Sequence, residues 1–203
     1  MLISFEGLDF SGKTTQIKLL VDRLNATGKD TVLVREPGGT PISEKIRNIL
    51  LDNKNKEMTQ IAELFLFSAA RNQLVNQVIL PSMKDGKIVI CDRFYDSTTA
   101  YQGYGRGINI EAITKINEIA TMRTKPDLTF FIDIPINEIT KRRLSANASI
   151  DRMESSGEKF YEKVRNGYLE IAKHEPERFF VINGLQDVDT IHETVWKIIS
   201  KNL

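Results

Sequence analysis

Three features of the 203-residue chain predict an α/β fold: a P-loop three-layer α/β/α sandwich with a five-stranded parallel sheet and a mobile lid. The first is a glycine-bounded loop, Gly7-Leu8-Asp9-Phe10-Ser11-Gly12-Lys13-Thr14-Thr15, between an apolar run and a helical pattern. The second is a regular alternation of short apolar segments with helical ones. The third is the texture of the apolar segments, dense in Val, Ile, Leu and Phe rather than alternating with polar residues. Strands buried on both faces of a parallel sheet read this way.

Gly7 and Gly12 enclose four residues, and Lys13-Thr14 follow, which is the spacing of a phosphate-binding loop. Glycines let the backbone turn and aim N–H groups at phosphate oxygens, and the helix behind presents its positive end. Residues Gly7 to Thr15 are therefore expected to bind a nucleoside triphosphate. Lys13 would reach the β- and γ-phosphates, and the Thr14 hydroxyl would ligate Mg²⁺. A plain turn into a helix needs none of these residues.

Strands are expected over 2–7, 31–35, 87–91, 128–134 and 178–182. Helices are expected over 13–27, 41–51, 59–84, 110–123, 137–144, 154–173 and 188–201. Ligands bind beyond the carboxyl ends of such strands, so Asp9, Glu36, Asp92, Arg93, Asp133 and Asn183 should share one edge. Without repeats or linkers, residues 1–203 read as one domain with a lid at about 141–153. A net charge of +1 offers no general field for nucleic acid or membrane. The single cysteine, Cys91, excludes an internal disulfide and reads as an inert core residue. The short apolar start lacks a basic leader, and the expectation is a cytoplasmic protein.

Other stretches carry chemistry. Arg35-Glu36-Pro37-Gly38-Gly39 reads as a rigid turn delivering charge to the ligand edge. Phe67 and Arg71, four apart on one helix face, can stack on a nucleobase and donate to its edge. Pro81 should end or kink that helix. An apolar strand ending in Asp92 completes a Mg²⁺ site directly or through water. Arg93 adds positive charge where an acceptor phosphate could sit, unlike the acidic pair of a water-activating ATPase. The glycine-rich stretch 98–107 reads as a binding loop. Thr124-Lys125-Pro126-Asp127 superficially matches a guanine-reading motif but precedes a strand instead of following one, so it reads as a turn.

Taken together, these residues resemble the thymidylate kinase family over essentially the whole chain. The resemblance rests on the loop at 7–15, Arg-Glu-Pro-Gly-Gly-Thr at 35–40 and Leu66-Phe67 with Arg71. Asp92-Arg93-Phe94 with Ser97, Ala100-Tyr101-Gln102-Gly103 and Asp151-Arg152 complete it. It implies phosphoryl transfer from ATP to dTMP, with Mg²⁺, in dTTP synthesis supplying DNA replication, by a homodimer. Asp9 would contact the sugar hydroxyl of dTMP and help order the reacting phosphates. Arg47 and Arg93 would hold the dTMP phosphate, with Glu36 and Asp92 organising Mg²⁺ and water. Phe67 would stack on thymine, Arg71 would read its edge, and Ser97 and Gln102 would support them. Tyr101 would exclude a ribose 2′-hydroxyl. Because positions 8, 10 and 11 hold no arginine, the lid should supply the catalytic one, with Arg143 and Arg152 as candidates alongside Asp9, Lys13 and Arg93.

Three rivals set the tests. A nucleotide kinase of other base preference is opposed by Phe67, Arg71 and Tyr101. A switch or motor ATPase is opposed by Asp92-Arg93 and the misplaced guanine motif. A catalytically dead scaffold would not need Lys13, Thr14, Asp92 and Arg93 together.

Overall fold

Residue alternation along each strand sorts the core into layers. On β1 (Leu2–Glu6), Ile3 and Phe5 face one side of the sheet and Leu2, Ser4 and Glu6 the other. Ile88 and Ile90 of β3 (Ile88–Asp92) join Phe5, while Val89 and Cys91 join Leu2. With β2 (Thr31–Arg35), β4 (Leu128–Asp133) and β5 (Phe179–Asn183), these form an all-parallel sheet in the order β2-β3-β1-β4-β5. The computed structural model describes residues 1–145, 152–153 and 157–203. The centre of the expected lid and Asp151 lie outside the described residues.

One face is covered by α1 (Lys13–Ala26) and α9 (Val188–Ile199), through Ile17, Leu20, Leu24, Ile191 and Val195. The other carries α3 (Gln60–Leu74) and α8 (Glu158–His174), with α2 (Pro41–Leu51) and α6 (Ile110–Ala120) packed against α3. Thr40 caps α2, its hydroxyl accepting from the Ser43 N–H, and Pro41 opens the helix, where a missing N–H costs nothing. In register, Arg35 pairs with Asp92 and Asp133 with Asn183, so the strand ends bring the expected polar residues to one edge. Cys91 is fully buried, and burial pushes its thiol well up.

Two expectations are corrected in form. The helix expected over 59–84 runs as α3, a π-helical turn Val75–Ile79 and α4 (Leu80–Lys84). Pro81 lacks an N–H for the α-helical ladder, and the chain widens ahead of it instead of ending, with Leu80 N–H bonded to Val75 O. The stretch 98–107 is no loop. It continues α5 (Tyr95–Thr98) as a π-helical segment, Thr99–Gly105, pressed on α8. A Cβ at Gly105 would lie 2.7 Å from the Phe160 ring. Glycine here permits close packing of two helices rather than a turn.

The stretch 124–127 behaves as the turn expected of it. Asp127 accepts the Leu2 N–H at 2.7 Å, tying the start of β4 to β1.

Candidate active site

The phosphate loop leaves β1 at Gly7, whose φ of 139° is open to glycine alone, and a Cβ there would stand 2.7 Å from Ile132 O. Gly12, also at positive φ, hands the chain to α1. Lys13 folds back across the loop, its Nζ donating to Gly7 O at 3.0 Å and Leu8 O at 2.9 Å. Burial, then the nearby Arg93, lowers its pKa to about 8. Asp9 through Thr15 line a cavity together with Asp92, Arg93 and Arg142. Thr14 Oγ1 donates to Asp92 Oδ2 at 3.5 Å. A hydroxyl and a carboxylate side by side suit Mg²⁺, a hard cation that takes few protein oxygens and keeps the rest for phosphate and water.

A second cavity opens beside the first, walled by Leu51, Phe67, Arg71, Ser97, Tyr101, Gln102 and Met153. Asp9, Glu36, Arg47 and Arg93 line both cavities. Arg93 sits at φ 69°, an uncommon conformation for a side-chain-bearing residue, held by its N–H to Phe5 O at 2.9 Å. Its guanidinium donates to Asp9 Oδ1 at 2.8 Å and lies 5.4 Å from the Tyr101 ring centre. Burial raises Asp9, yet Arg93 and then Lys13 outweigh it and hold the carboxyl below its ordinary value.

Arg71 is 2% exposed, and each of its three guanidinium nitrogens bonds to the protein. Nε donates to Glu36 Oε2 at 2.8 Å, Nη1 to Asn117 Oδ1 at 3.2 Å and Nη2 to Phe94 O at 3.2 Å. Glu36 is thus tied to Arg71 through Oε2, while its Oε1 and the Tyr101 hydroxyl are buried without a partner among the described residues. Unpaired buried polar atoms are costly, and both belong to residues facing a cavity that a ligand would fill. Arg47 is held by Pro37 O at 3.0 Å.

The lid arginines do not stand where they were expected. Arg143 lines neither cavity. Arg152 pairs with the buried Glu63 at 2.7 Å and donates to Leu50 O, which turns it away from the phosphate loop. On α7 (Ile136–Ser145) the phosphate-facing residue is Arg142, which pairs with Glu138 one turn earlier and donates to Phe10 O at 3.3 Å and Ser11 O at 3.4 Å. A helix turns about 100° per residue, so neighbours in an arginine run face different ways.

Glu6 lines neither cavity but holds Ser97, which lines one, and sequence reasoning missed it because it reads as one more strand position. It accepts from Ser4 Oγ and Phe94 N on Oε1 and from Ser97 Oγ and Tyr168 Oη on Oε2. Phe94 and Ser97 follow Arg93 where the chain leaves β3 for α5. Burial first, then Asp96, raises the Glu6 pKa to about 7, against the hydrogen bond from Ser97 and the charge of Arg93. A carboxyl whose folded pKa is raised contributes stability below its ordinary 4.5 and loses it as pH climbs to about 7. Glu6→Gln is therefore expected to flatten the fall in stability across that window, since the Ser97 and Tyr168 hydroxyls can turn to accept from an amide. Urea unfolding of both proteins from pH 4.5 to 7.5 measures it; parallel profiles would reject the assignment.

The sequence profile described as thymidylate kinase matches residues 5–195. The chain is 47% identical to a thymidylate kinase of Chlorobium phaeobacteroides, over 99% of the chain and 95% of that protein. It is likewise 47% identical to one of Caldanaerobacter subterraneus, with the same coverage. The crystal structure of a thymidylate kinase from Ehrlichia chaffeensis is 40% identical, covers 98% of both chains and superposes with a TM-score of 0.80.

Proposed function

The chain belongs to the thymidylate kinase family and phosphorylates dTMP to dTDP, and we propose that it does so by passing the γ-phosphoryl group of ATP across the wall its two cavities share. The observation that carries this is that Asp9, Glu36, Arg47 and Arg93 line both cavities. Two phosphates bound on either side of that wall would meet at one set of charges.

ATP lies on the phosphate loop, Gly7 to Thr15, with Lys13 released from Gly7 O and Leu8 O onto the β- and γ-phosphates. Thr14 and, directly or through water, Asp92 would hold Mg²⁺, which would supply Lewis-acid neutralisation of the phosphate oxygens. Arg93 and Arg47 hold the dTMP phosphate, and Asp9 keeps Arg93 aimed while contacting the sugar hydroxyl. Phe67 stacks on thymine, with Arg71, Ser97 and Gln102 at its edge. Tyr101 closes the space a 2′-hydroxyl would need. The attacking phosphate oxygen is already ionised, so positioning and charge stabilisation supply the rate without a general base. Arg142 takes the lid role proposed for Arg143 or Arg152, since its guanidinium lies on the loop. The product enters dTTP synthesis and so supplies DNA replication.

The test is ADP release from ATP and Mg²⁺ with each nucleoside monophosphate in turn. Strong stimulation by dTMP and little by ribose or guanine counterparts is expected. An equal rate without acceptor would indicate an ATPase instead.

The chain acts as a homodimer in this reading. Phe65, 57% exposed, and Ile61 one turn earlier form an apolar stripe on α3, which packs with α2 and α6. No helix among the described residues is long and apolar enough to cross a membrane. Phe65→Glu is expected to convert a particle of twice the 23.1 kDa chain mass to the monomer, read by light scattering; an unchanged mass places the interface elsewhere.

A further inference from the structure

Gln102 is 1% exposed, and the one hydrogen bond of its side chain among the described residues runs from Nε2 to Glu63 Oε1, at 3.0 Å. A carboxylate accepts only, so chemistry decides which end of the amide faces it. The other end, Oε1, is the end left for the cavity that Gln102 lines. Glu63 is itself held from two sides. Arg106 donates through Nε to Oε1 at 3.1 Å and through Nη2 to Oε2 at 3.2 Å, and Arg152 Nη1 lies 2.7 Å from Oε2. Burial pushes Glu63 up, but the bonds from Arg106, Gln102 and Arg152 outweigh it and keep the carboxyl below its ordinary value. Arg71 completes the pattern. Four of its five N–H groups are taken by Glu36, Asn117 and Phe94 O, which leaves one Nη1 hydrogen.

We propose that Glu63 determines base selectivity by locking the Gln102 amide, so that the cavity offers an acceptor from Gln102 beside a donor from Arg71. This rests on the reading that the cavity around Phe67 holds the pyrimidine. Thymine carries a donor at N3 and an acceptor at O4, and cytosine carries an acceptor at N3 and a donor at N4. The locked pair matches thymine at both atoms and opposes cytosine at both. Glu63 touches no substrate; it is a positioning residue acting through Gln102.

Glu63→Gln tests this. Two arginine contacts fall on Oε2 and one on Oε1, so the new carbonyl takes the Oε2 position and the new NH₂ faces Gln102. Gln102 then turns its own oxygen to that NH₂ and shows Nε2 to the cavity. The ratio of kcat/KM for dTMP to that for dCMP is expected to fall at least about tenfold, the smaller end of what mismatched buried hydrogen bonds contribute. Arg106→Met leaves the Glu63–Gln102 bond in place and is expected to keep the wild-type ratio. An unchanged ratio in Glu63→Gln overturns the proposal, and so does an equal fall in Arg106→Met, which would assign the effect to lost ion pairing. If circular dichroism shows Glu63→Gln unfolded, Gln102→Met carries the test: the ratio must fall by a similar factor, and an unchanged one overturns the proposal. A wild-type enzyme with no preference for dTMP over dCMP would instead remove the base-pocket reading beneath it.

Discussion

Lys13→Met is expected to lower kcat about 10²–10³-fold, the range seen when one preorganised donor to developing charge is removed, while leaving the fold intact. The sign of the stability effect follows from the lysine's position. Its folded pKa is lowered from 10.5 to about 8 by burial and by Arg93. A lowered pKa means that the folded protein pays to keep this ammonium charged below pH 8, and methionine removes that cost. The melting temperature at pH 7 should therefore hold or rise as activity is lost. Paired measurement of turnover and thermal unfolding checks this. A large fall in melting temperature would make Lys13 a structural cation for Gly7 O and Leu8 O, and retained turnover would remove it from catalysis.

Arg71→Ala is expected to do the opposite, damaging fold and binding together. The Arg71–Glu36 pair is 2% and 4% exposed at its side chains, and burial already raises the Glu36 pKa against the pull of Arg71. Removing one partner of a buried pair leaves a charge with no compensation, which costs about 3–5 kcal/mol. For a chain of this size that is roughly 6–20 °C in melting temperature. Without Arg71 nothing offsets the burial that raises the Glu36 carboxyl, so Glu36 should take up a proton more readily and the loss should shrink as pH is lowered. The double variant Arg71→Met with Glu36→Gln should recover much of the stability but none of the dTMP affinity. A fall in melting temperature below about 2 °C for Arg71→Ala would contradict the burial argument.

The parts of the site that could be read from the chain are those built from neighbours. Gly7 to Thr15 forms its cradle from nine consecutive residues, and its chemistry is local. Asp92 and Arg93 were legible because a strand end delivers what it carries. Partners were not. Glu36, Asn117 and Phe94 O reach Arg71 from 35, 46 and 23 residues away. Arg142 could not be preferred to Arg143 or Arg152 without the phase of α7 and the buried Glu63 that holds Arg152. Glu6 had no signal at all beyond being polar in an apolar strand, which is a hint worth heeding.

The sequence by itself determined the strand–helix alternation, the phosphate loop and the edge on which ligands gather. These follow from period, turn chemistry and the fixed handedness of parallel crossovers, all properties of short stretches. It placed strand boundaries within a residue, because the apolar runs stop where polar residues begin, although only β1, β3 and β4 are buried on both faces while Leu33 of β2 and Val181 of β5 are exposed at the sheet edges. Only the tertiary structure decided that the segment Thr99–Gly105 is a helix packed on α8, and which charges neutralise one another. Packing of α8 against Gly105 overrides the turn preference of glycine. Pairing of buried charges depends on distances between segments far apart in the chain, and no local pattern encodes them.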